Sequence, residues 1–396
     1  MNHANQFLEL EIRIHPRRDE VHPVEIALAG QRHFRGHLSA SILPWISSSD
    51  PVEDGRKLFQ ALFTDRGLRD AWAEARGQSL CRRIRIHIDE DSPELHALPW
   101  ELLREEATML SADARTPFSR YLAVSKSWGE AVTGRPIRVL VVISNPHDLE
   151  EYNLVQLNGE LERSILEQTL SDLDKSGEHA IRLHFLDRLA TMERLEARLQ
   201  EGYHVLHYLG HGMFNKHAHR AFLYMQDERG NTQPVRDEEF IGMLSRQRAR
   251  PRLVFLAACQ SATRSTANAF LGLGPRLVAA GVPAVVAMQG QVAIPTARKL
   301  SLTFYKRLAE HGMVDCALNQ ARSTLLTAGR PDAAVPVLFM RLKSGQLWED
   351  MAAQAEEAFP RDSTAKYNIH IKDSQVGVIG DGTKVEGGIH FGKSKR

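Results

Sequence analysis

The sequence predicts an α/β protein whose mostly parallel sheet is flanked by helices. Between residue 134 and about residue 345, short apolar runs rich in β-branched residues alternate with longer amphipathic segments. Such runs are typical of strands that a parallel sheet buries on both faces, and strand–helix alternation favours a doubly wound arrangement. Gly281 and Gly312 stand where two of the helices are expected to end. The predicted strands are 137–144, 181–186, 204–210, 253–258, 284–288 and 335–340.

The first 130 residues predict a smaller α/β lobe packed on the main domain. ELEIRIHP and CRRIRIHID alternate apolar and polar residues, as half-buried strands do, and helical segments such as GRKLFQALFTD lie between them. We expect the boundary near Gly134–Pro136. Residues 1–133 then form the lobe and residues 134–345 form the main domain.

Two short regions follow the main domain. Residues 346–366 predict an amphipathic helix, LWEDMAAQAEEAF, and a linker, PRDSTA. Residues 367–396 are rich in Gly, Val and Ile and contain no Pro, so this tail is prone to form β-strands. The tail is too short to bury a core of its own.

Composition and charge exclude several classes of protein. The 396 residues carry 50 basic and 49 acidic side chains, and the net charge of +1 gives no general attraction to nucleic acid or anionic lipid. The odd number of cysteines (Cys81, Cys259 and Cys316) provides no disulfide framework and suits a reducing cytosol. The N-terminus has no secretory signal pattern, and the apolar stretch at 271–290 is interrupted by Arg276 and by prolines. We therefore expect a cytoplasmic protein with no membrane span and no nucleic-acid partner.

The candidates for catalysis are a histidine and a cysteine that follow two predicted strands. His211 comes directly after HVLHYLG and Cys259 directly after LVFLAA, 48 residues apart. Because the carboxyl ends of parallel strands meet at the same edge of a sheet, we expect the two side chains to lie together. An imidazole can take the proton of a thiol and return it to a leaving amine, which is the chemistry of a cysteine peptidase. The backbone N–H groups of Gly212 and Cys259 are the expected oxyanion hole.

Other interpretations stay open beside this one. A lone cysteine after an apolar strand is more often a buried small residue than a nucleophile. A metal site is not expected, because His204 and His207 face opposite sides of a strand and no second cysteine lies nearby. No Gly-rich phosphate loop follows a strand directly, so no nucleotide and no other cofactor is expected. The arginines of RQRARPR, residues 246–252, are interpreted as a solvated helix end.

Short segments along the chain occur in an order and spacing that are specific together. They are LPWELL (98–103), TPFSRYL (116–122), RPIRVLVVISNPHDL (135–149), HYLGHG (207–212), LAACQS (256–261), AGVPAVVAM (280–288) and the later FYKRLAEHG and ALNQAR. With this set, about residues 1–345 resemble the CHAT domain, a caspase-like group of clan CD cysteine peptidases. The resemblance implies a caspase-like sheet, with His211 as general base and Cys259 as nucleophile.

Two positions depart from the family pattern. Gln260 stands where an acidic residue is usual, and Gln289 stands where a Trp is frequent. Both are expected to line the substrate pocket, so the specificity of relatives does not transfer. Within LPWELL we expect structural roles: Trp100 packs the lobe against the main domain, and Glu101 anchors a buried hydrogen bond.

The tail resembles bacterial amyloid signalling motifs. The matching core is QVGVIGDG with the later IHF, in which Val and Ile favour strands and Gly380-Asp381-Gly382 favours a turn between them. The two resemblances together imply an endopeptidase in bacterial immunity or regulated cell death, recruited or clustered by a sensor or adaptor with a matching motif. Its implied substrate is another protein, such as a gasdermin-like effector. The alternative is a catalytically silent adaptor with the same caspase-like fold.

Overall fold

The computed structural model describes most of the chain between Phe7 and Glu349. All of these residues belong to the first of the two units into which the chain divides, Met1–Met351. The predicted tail at 367–396, and the predicted helix and linker beyond Glu349, lie outside the described residues. The described ranges are 7–41, 50–89, 92–121, 132–133, 136–174, 181–215, 220–258, 264–290, 292–342 and 344–349.

The strands account for the core of the molecule. In chain order they are β1 (Leu8–Ile14), β2 (Val21–Leu28), β3 (Arg32–Ser39), β4 (Arg82–Ile88), β5 (Arg104–Glu105), β6 (Thr108–Met109), β7 (Phe118–Tyr121), β8 (Val132–Thr133), β9 (Ile137–Ile143), β10 (Ile181–Phe185), β11 (Val205–Gly210), β12 (Gly212–Asn215), β13 (Arg220–Gln226), β14 (Thr232–Arg236), β15 (Leu253–Ala258), β16 (Ala284–Met288), β17 (Pro336–Met340) and β18 (Trp348–Glu349).

The helices lie between the strands. They begin and end where local signals place them: the Asp50 side chain accepts the N–H groups of Val52 and Glu53 at the start of the first helix, and Gly312, at φ 72°, ends the eighth. In chain order they are α1 (Pro51–Leu62), α2 (Arg66–Gln78), α3 (Pro93–His96), α4 (Gly159–Asp174), α5 (Met192–Leu199), α6 (Asp237–Arg246), α7 (Arg264–Ala279), α8 (Ile294–His311) and α9 (Val314–Thr327).

One large sheet crosses the whole described unit. Its eleven strands follow the order β10-β9-β11-β15-β16-β17-β7-β4-β1-β2-β3, and seven of the ten neighbouring pairs are parallel. The predicted α/β class with a mostly parallel sheet is confirmed. Each of the six strands predicted for the main domain is present with its ends within one residue of the expectation.

Two features of this region differ from the prediction. Strand β17 runs antiparallel to β16, although both are short apolar runs that the sequence does not distinguish from parallel strands. The chain after β11 also forms a separate antiparallel sheet, β12-β13-β14, which the sequence analysis missed.

The N-terminal lobe continues the main sheet instead of packing on it as a separate layer. Strand β7 pairs with β17 of the main domain on one side and with β4 of the lobe on the other. The two largest hydrophobic cores lie along the shared sheet. The residues of the smaller one fall between Leu10 and Phe118 in the sequence, and those of the larger one fall between Val132 and Trp348.

The prediction of a helix that begins at Leu347 is wrong for its first residues. Trp348–Glu349 form strand β18, which pairs in parallel with β8, and Trp348 is buried in the larger core. The need to bury the indole overrides the helical pattern at these two residues. The apolar stretch at 271–290 divides, as expected, into the second half of α7 and strand β16. Within the described ranges no helix has both the length and the apolar character to cross a membrane.

Candidate active site

The strands that carry the predicted catalytic residues are neighbours in the sheet. β11 and β15 pair in parallel, and their last residues, Gly210 and Ala258, are partners in the register. His211 is therefore the next residue after one partner, and Cys259 is the next residue after the other. Cys259 and Gln260 themselves lie outside the described residues.

His211 is buried, and its ring nitrogens have different surroundings. Nε2 lies 2.8 Å from the carbonyl oxygen of Val155, whereas buried Nδ1 has no hydrogen-bond partner among the described residues. Since a carbonyl can only accept, Nε2 must carry the proton of the neutral ring. Nδ1 then presents a lone pair, which is what a proton acceptor requires.

Burial also controls the charge of this histidine. Desolvation lowers the pKa of His211 from its ordinary value of 6.5, and the hydrogen bond to Val155 opposes that shift in part. The neutral ring is thus favoured in the free protein. A neutral imidazole at this position suits a general base better than a permanent imidazolium.

The carbonyl that fixes the ring comes from the loop after β9. Asn145 holds that loop closed, because its amide accepts the N–H of Leu157 and donates to the carbonyl of the same residue, both at 2.9 Å. Gln156 donates to the carbonyls of Pro146 and His147 in the same loop. The position of the Val155 carbonyl is therefore set by hydrogen bonds within the loop.

A buried tyrosine, Tyr208, forms a hydrogen bond with the backbone of His211. The Tyr208 hydroxyl lies 2.8 Å from the carbonyl oxygen of Tyr224 and 3.1 Å from that of His211, and its single proton is shared between the two acceptors. Ser144 donates to the same Tyr224 carbonyl. Burial raises the pKa of Tyr208, so the hydroxyl keeps its proton. A Cβ on Gly210 would lie 2.6 Å from this hydroxyl oxygen, so the glycine leaves the space through which Tyr208 reaches His211.

Gly212 begins β12, the edge strand of the smaller sheet. The N–H of Tyr224 donates to the carbonyl of His211, so His211 and Tyr224 form a hydrogen-bonded pair. Hydrogen-bonded and open pairs alternate in an antiparallel ladder, which makes Gly212 and Leu223 an open pair. The Gly212 N–H therefore points away from β13, an orientation compatible with the predicted oxyanion hole.

The LPWELL segment forms a buried polar network. Glu101 and Arg120 are fully buried and form an ion pair. The Gln289 side chain donates to Glu101 (3.2 Å) and to the Ala334 carbonyl (3.0 Å), and it accepts from Arg120 (2.8 Å). Glu101 is the buried anchor that we expected. That Gln289 also lines a substrate pocket stays a prediction.

Trp100 has a different partner from the one expected. Its indole packs in the smaller, N-terminal core, and its N–H donates to the carbonyl of Leu95 at 2.8 Å. The network around Arg120 is one of several buried polar contacts between the lobe and the main domain, and the ion pair of Arg83 with Asp315 is another.

Sequence reasoning missed three contributors to the site: the Val155 carbonyl, the Tyr208 hydroxyl and the Ser144 hydroxyl. Tyr208 lies in the HYLGHG segment and Ser144 ends the predicted strand at 137–144, which are the only signals that could have pointed to them. Among the described residues no three His, Cys, Asp or Glu side chains are grouped to hold a metal ion.

The chain was compared with known families and structures. The family model of the CHAT domain matches residues 52–367, most of the chain. None of the curated proteins matches it. Among solved structures, the chain is similar to the Saccharomyces cerevisiae separase–securin complex at 14% identity and a TM-score of 0.39, over 78% of this chain and 20% of the other, so it spans about a fifth of the separase-complex chain that it matches. It is also similar to the Arg-specific cysteine proteinase gingipain R (10% identity, TM-score 0.42, 76% and 70% of the two chains) and to a complex of pro- and mature domains from Porphyromonas gingivalis (10%, 0.42, 76% and 71%).

Proposed function

The chain belongs to the CHAT domain family, and on that premise we propose that it is a cysteine endopeptidase in which His211 activates Cys259. The observation that carries the proposal is the state of His211. Its Nε2 is hydrogen-bonded to the Val155 carbonyl, which leaves Nδ1 as the acceptor at the edge where β15 ends with Ala258, the residue before Cys259 in the sequence.

The reaction follows from these groups. The Cys259 thiol gives its proton to Nδ1 of His211 as the sulfur attacks the carbonyl carbon of the scissile amide. The N–H groups of Gly212 and Cys259 stabilise the oxyanion of the tetrahedral intermediate. The His211 imidazolium returns the proton to the leaving amine, which gives an acyl-enzyme. Water, deprotonated by the same imidazole, then hydrolyses the thioester and restores the thiol.

The setting of this activity is proposed from the tail and the family. The tail at 367–396 recruits the enzyme to a sensor or adaptor with a matching amyloid-type motif, and clustering there activates it in the cytoplasm. The substrate is a protein effector of bacterial immunity or regulated cell death, such as a gasdermin-like protein. Gln260 and Gln289 contribute to the pocket that selects the cleaved residue.

The test of catalysis uses two cysteine variants in a peptide-library cleavage assay, with and without forced clustering. Cys259→Ala should abolish cleavage, because it removes the attacking sulfur. Cys81→Ala is the matched control, since Cys81 is a free, partly exposed thiol in the N-terminal lobe and should be dispensable. Cleavage by Cys259→Ala would reject the peptidase. A wild-type chain without cleavage, and without reaction with a peptide acyl-trap even when clustered, would point to the adaptor.

The role of the tail is tested by deletion of residues 367–396. The tail is too short to bury a core of its own, so the truncated chain should keep its melting temperature and its reactivity with the acyl-trap. It should lose self-association, measured by sedimentation. Loss of folding on deletion would contradict a signalling tail and indicate a structural hairpin.

A further inference from the structure

A cavity lies at the edge of the sheet opposite His211. Its volume is about 680 Å³, and it is bounded by residues that immediately precede strands: His204 before β11, Arg252 before β15 and Pro283 before β16. The intervening strand β11 has six residues, which corresponds to about 20 Å. The cavity is therefore separate from the candidate active site.

The wall of this cavity is positively charged. Arg248, Arg250 and Arg252 line it, and the described lining contains no Asp or Glu. No ion pair links any of the three guanidinium groups to another described residue, and the one hydrogen bond found is from Arg250 to the Ala280 carbonyl at 3.4 Å. In a chain with a net charge of only +1, three arginines without carboxylate partners are a local excess.

The interpretation of RQRARPR as a solvated helix end agrees with the exposure of Arg246, Arg248 and Arg250, but it leaves out the cavity that three of the four arginines line. Arg246 is the last residue of α6, and its guanidinium pairs with Glu196 at 3.2 Å. The chain then leaves the helix, and the following residues bring the other three arginines to the cavity wall.

The carboxylate of Glu201, the residue before the cavity-lining Gly202, has other partners. Glu201 pairs with Arg198 and Arg138 and accepts the hydroxyl of Tyr203. Arg138 also donates to the carbonyls of Glu201 and Gly202. These contacts pair Glu201 with groups other than Arg248, Arg250 and Arg252, for which no ion-pair partner is found in the part of the chain that the structure describes.

His204 adds a neutral donor to the same wall. Its Nδ1 accepts the backbone N–H of Arg138 at 3.0 Å, so Nε2 carries the proton of the neutral ring. Burial first, and then the positive charges of Arg138 and Arg252, lower the pKa of His204. The lowered pKa of His204 is therefore consistent with a positive electrostatic potential at this wall.

We propose that this cavity binds a small molecule that carries two or more phosphate groups. Guanidinium groups bind phosphate oxygens with paired, charge-assisted hydrogen bonds, and three of them exceed what a single phosphate needs. The volume lies within the range of pockets for small molecules. No Gly-rich loop is required, because side chains supply the donors.

The test is a titration of the full chain with sodium tripolyphosphate at about 150 mM salt, followed by calorimetry. Wild-type protein should bind saturably. Arg248→Gln/Arg252→Gln should bind about tenfold more weakly or worse, since two charged donors are lost. Arg246→Gln is the control: it removes one positive charge, as Arg248→Gln alone does, from the same segment but outside the cavity, and it should bind like wild type. Arg248→Gln alone, at an exposed position, provides the readout if the double variant does not fold.

Several outcomes would overturn the proposal. Absence of saturable binding by wild type is one. Equal weakening by Arg246→Gln is another, because it would indicate a diffuse charge effect and no built site. Tight binding of single-stranded RNA with no binding of tripolyphosphate would assign the arginines to nucleic acid.

Discussion

The Tyr208 hydroxyl is, with the Tyr224 N–H, one of two groups that bond the backbone carbonyl of the proposed general base. It is fully buried and donates to the His211 carbonyl, and no other described side chain is seen to bond that carbonyl. It touches neither the ring nitrogens nor the proposed nucleophile, so it is a positioning residue. Its contribution is to keep Nδ1 of His211 where a thiol proton can reach it.

Tyr208→Phe should lower kcat by roughly tenfold while KM changes little, because the imidazole loses alignment and the substrate surface stays intact. Loss of the hydroxyl should also cost about 1–2 kcal/mol of stability. Steady-state kinetics and denaturant unfolding measure both effects.

Tyr305→Phe is the matched control for this change. Tyr305 is equally buried, and its hydroxyl bonds to His207, on the same strand as Tyr208, at 2.8 Å. The control should lose similar stability and keep kcat. Equal loss of kcat in both variants would show that the Tyr208 hydroxyl is only structural.

Strands buried on both faces are the elements that the sequence predicts best. β9, β11, β15 and β16 are near-continuous apolar runs, and burial leaves no other arrangement for them. Their parallel order then brings His211 to the expected edge. This part of the site follows from hydrophobic pattern and topology alone.

The hydrophobic pattern did not predict elements whose residues are partly exposed. β14 has one buried residue, Val235, and contains Pro234, so its sequence does not indicate a strand. The role of the Val155 carbonyl is harder still to predict from the sequence, because every residue has a carbonyl and only the folded loop places this one beside His211. The ion pair of Glu101 with Arg120 joins residues 19 apart through tertiary packing, for which no local pattern exists.

At the scale of the whole molecule, one sheet joins the N-terminal lobe to the main domain. The junction of β17 with β7 has a single register pair, Phe339 with Arg120. The buried network of Arg120, Glu101 and Gln289 lies at that junction and links both halves of the chain. The polar network thus supports the narrowest point of the sheet.

Arg120→Ala should destabilise the protein by about 3–5 kcal/mol, because it leaves the Glu101 carboxylate buried without its partner. The midpoint of denaturant unfolding measures the loss. Arg115→Ala is the control, since the Arg115 side chain is exposed and solvent screens its ion pair with Asp113, so its loss should leave the midpoint nearly unchanged. Similar midpoints for the two variants would contradict a junction held by the buried network.

The pairing of His211 with Cys259 is tested most directly by the rate at which iodoacetamide alkylates Cys259 in the folded chain. Peptide mass spectrometry separates this thiol from Cys81, which serves as the internal reference. Wild type should react roughly tenfold faster than His211→Asn at neutral pH, because the imidazole accepts the thiol proton. Since burial lowers the pKa of His211, this advantage should persist below pH 6.5. Equal rates for Cys259 in the two proteins at every pH would contradict the dyad.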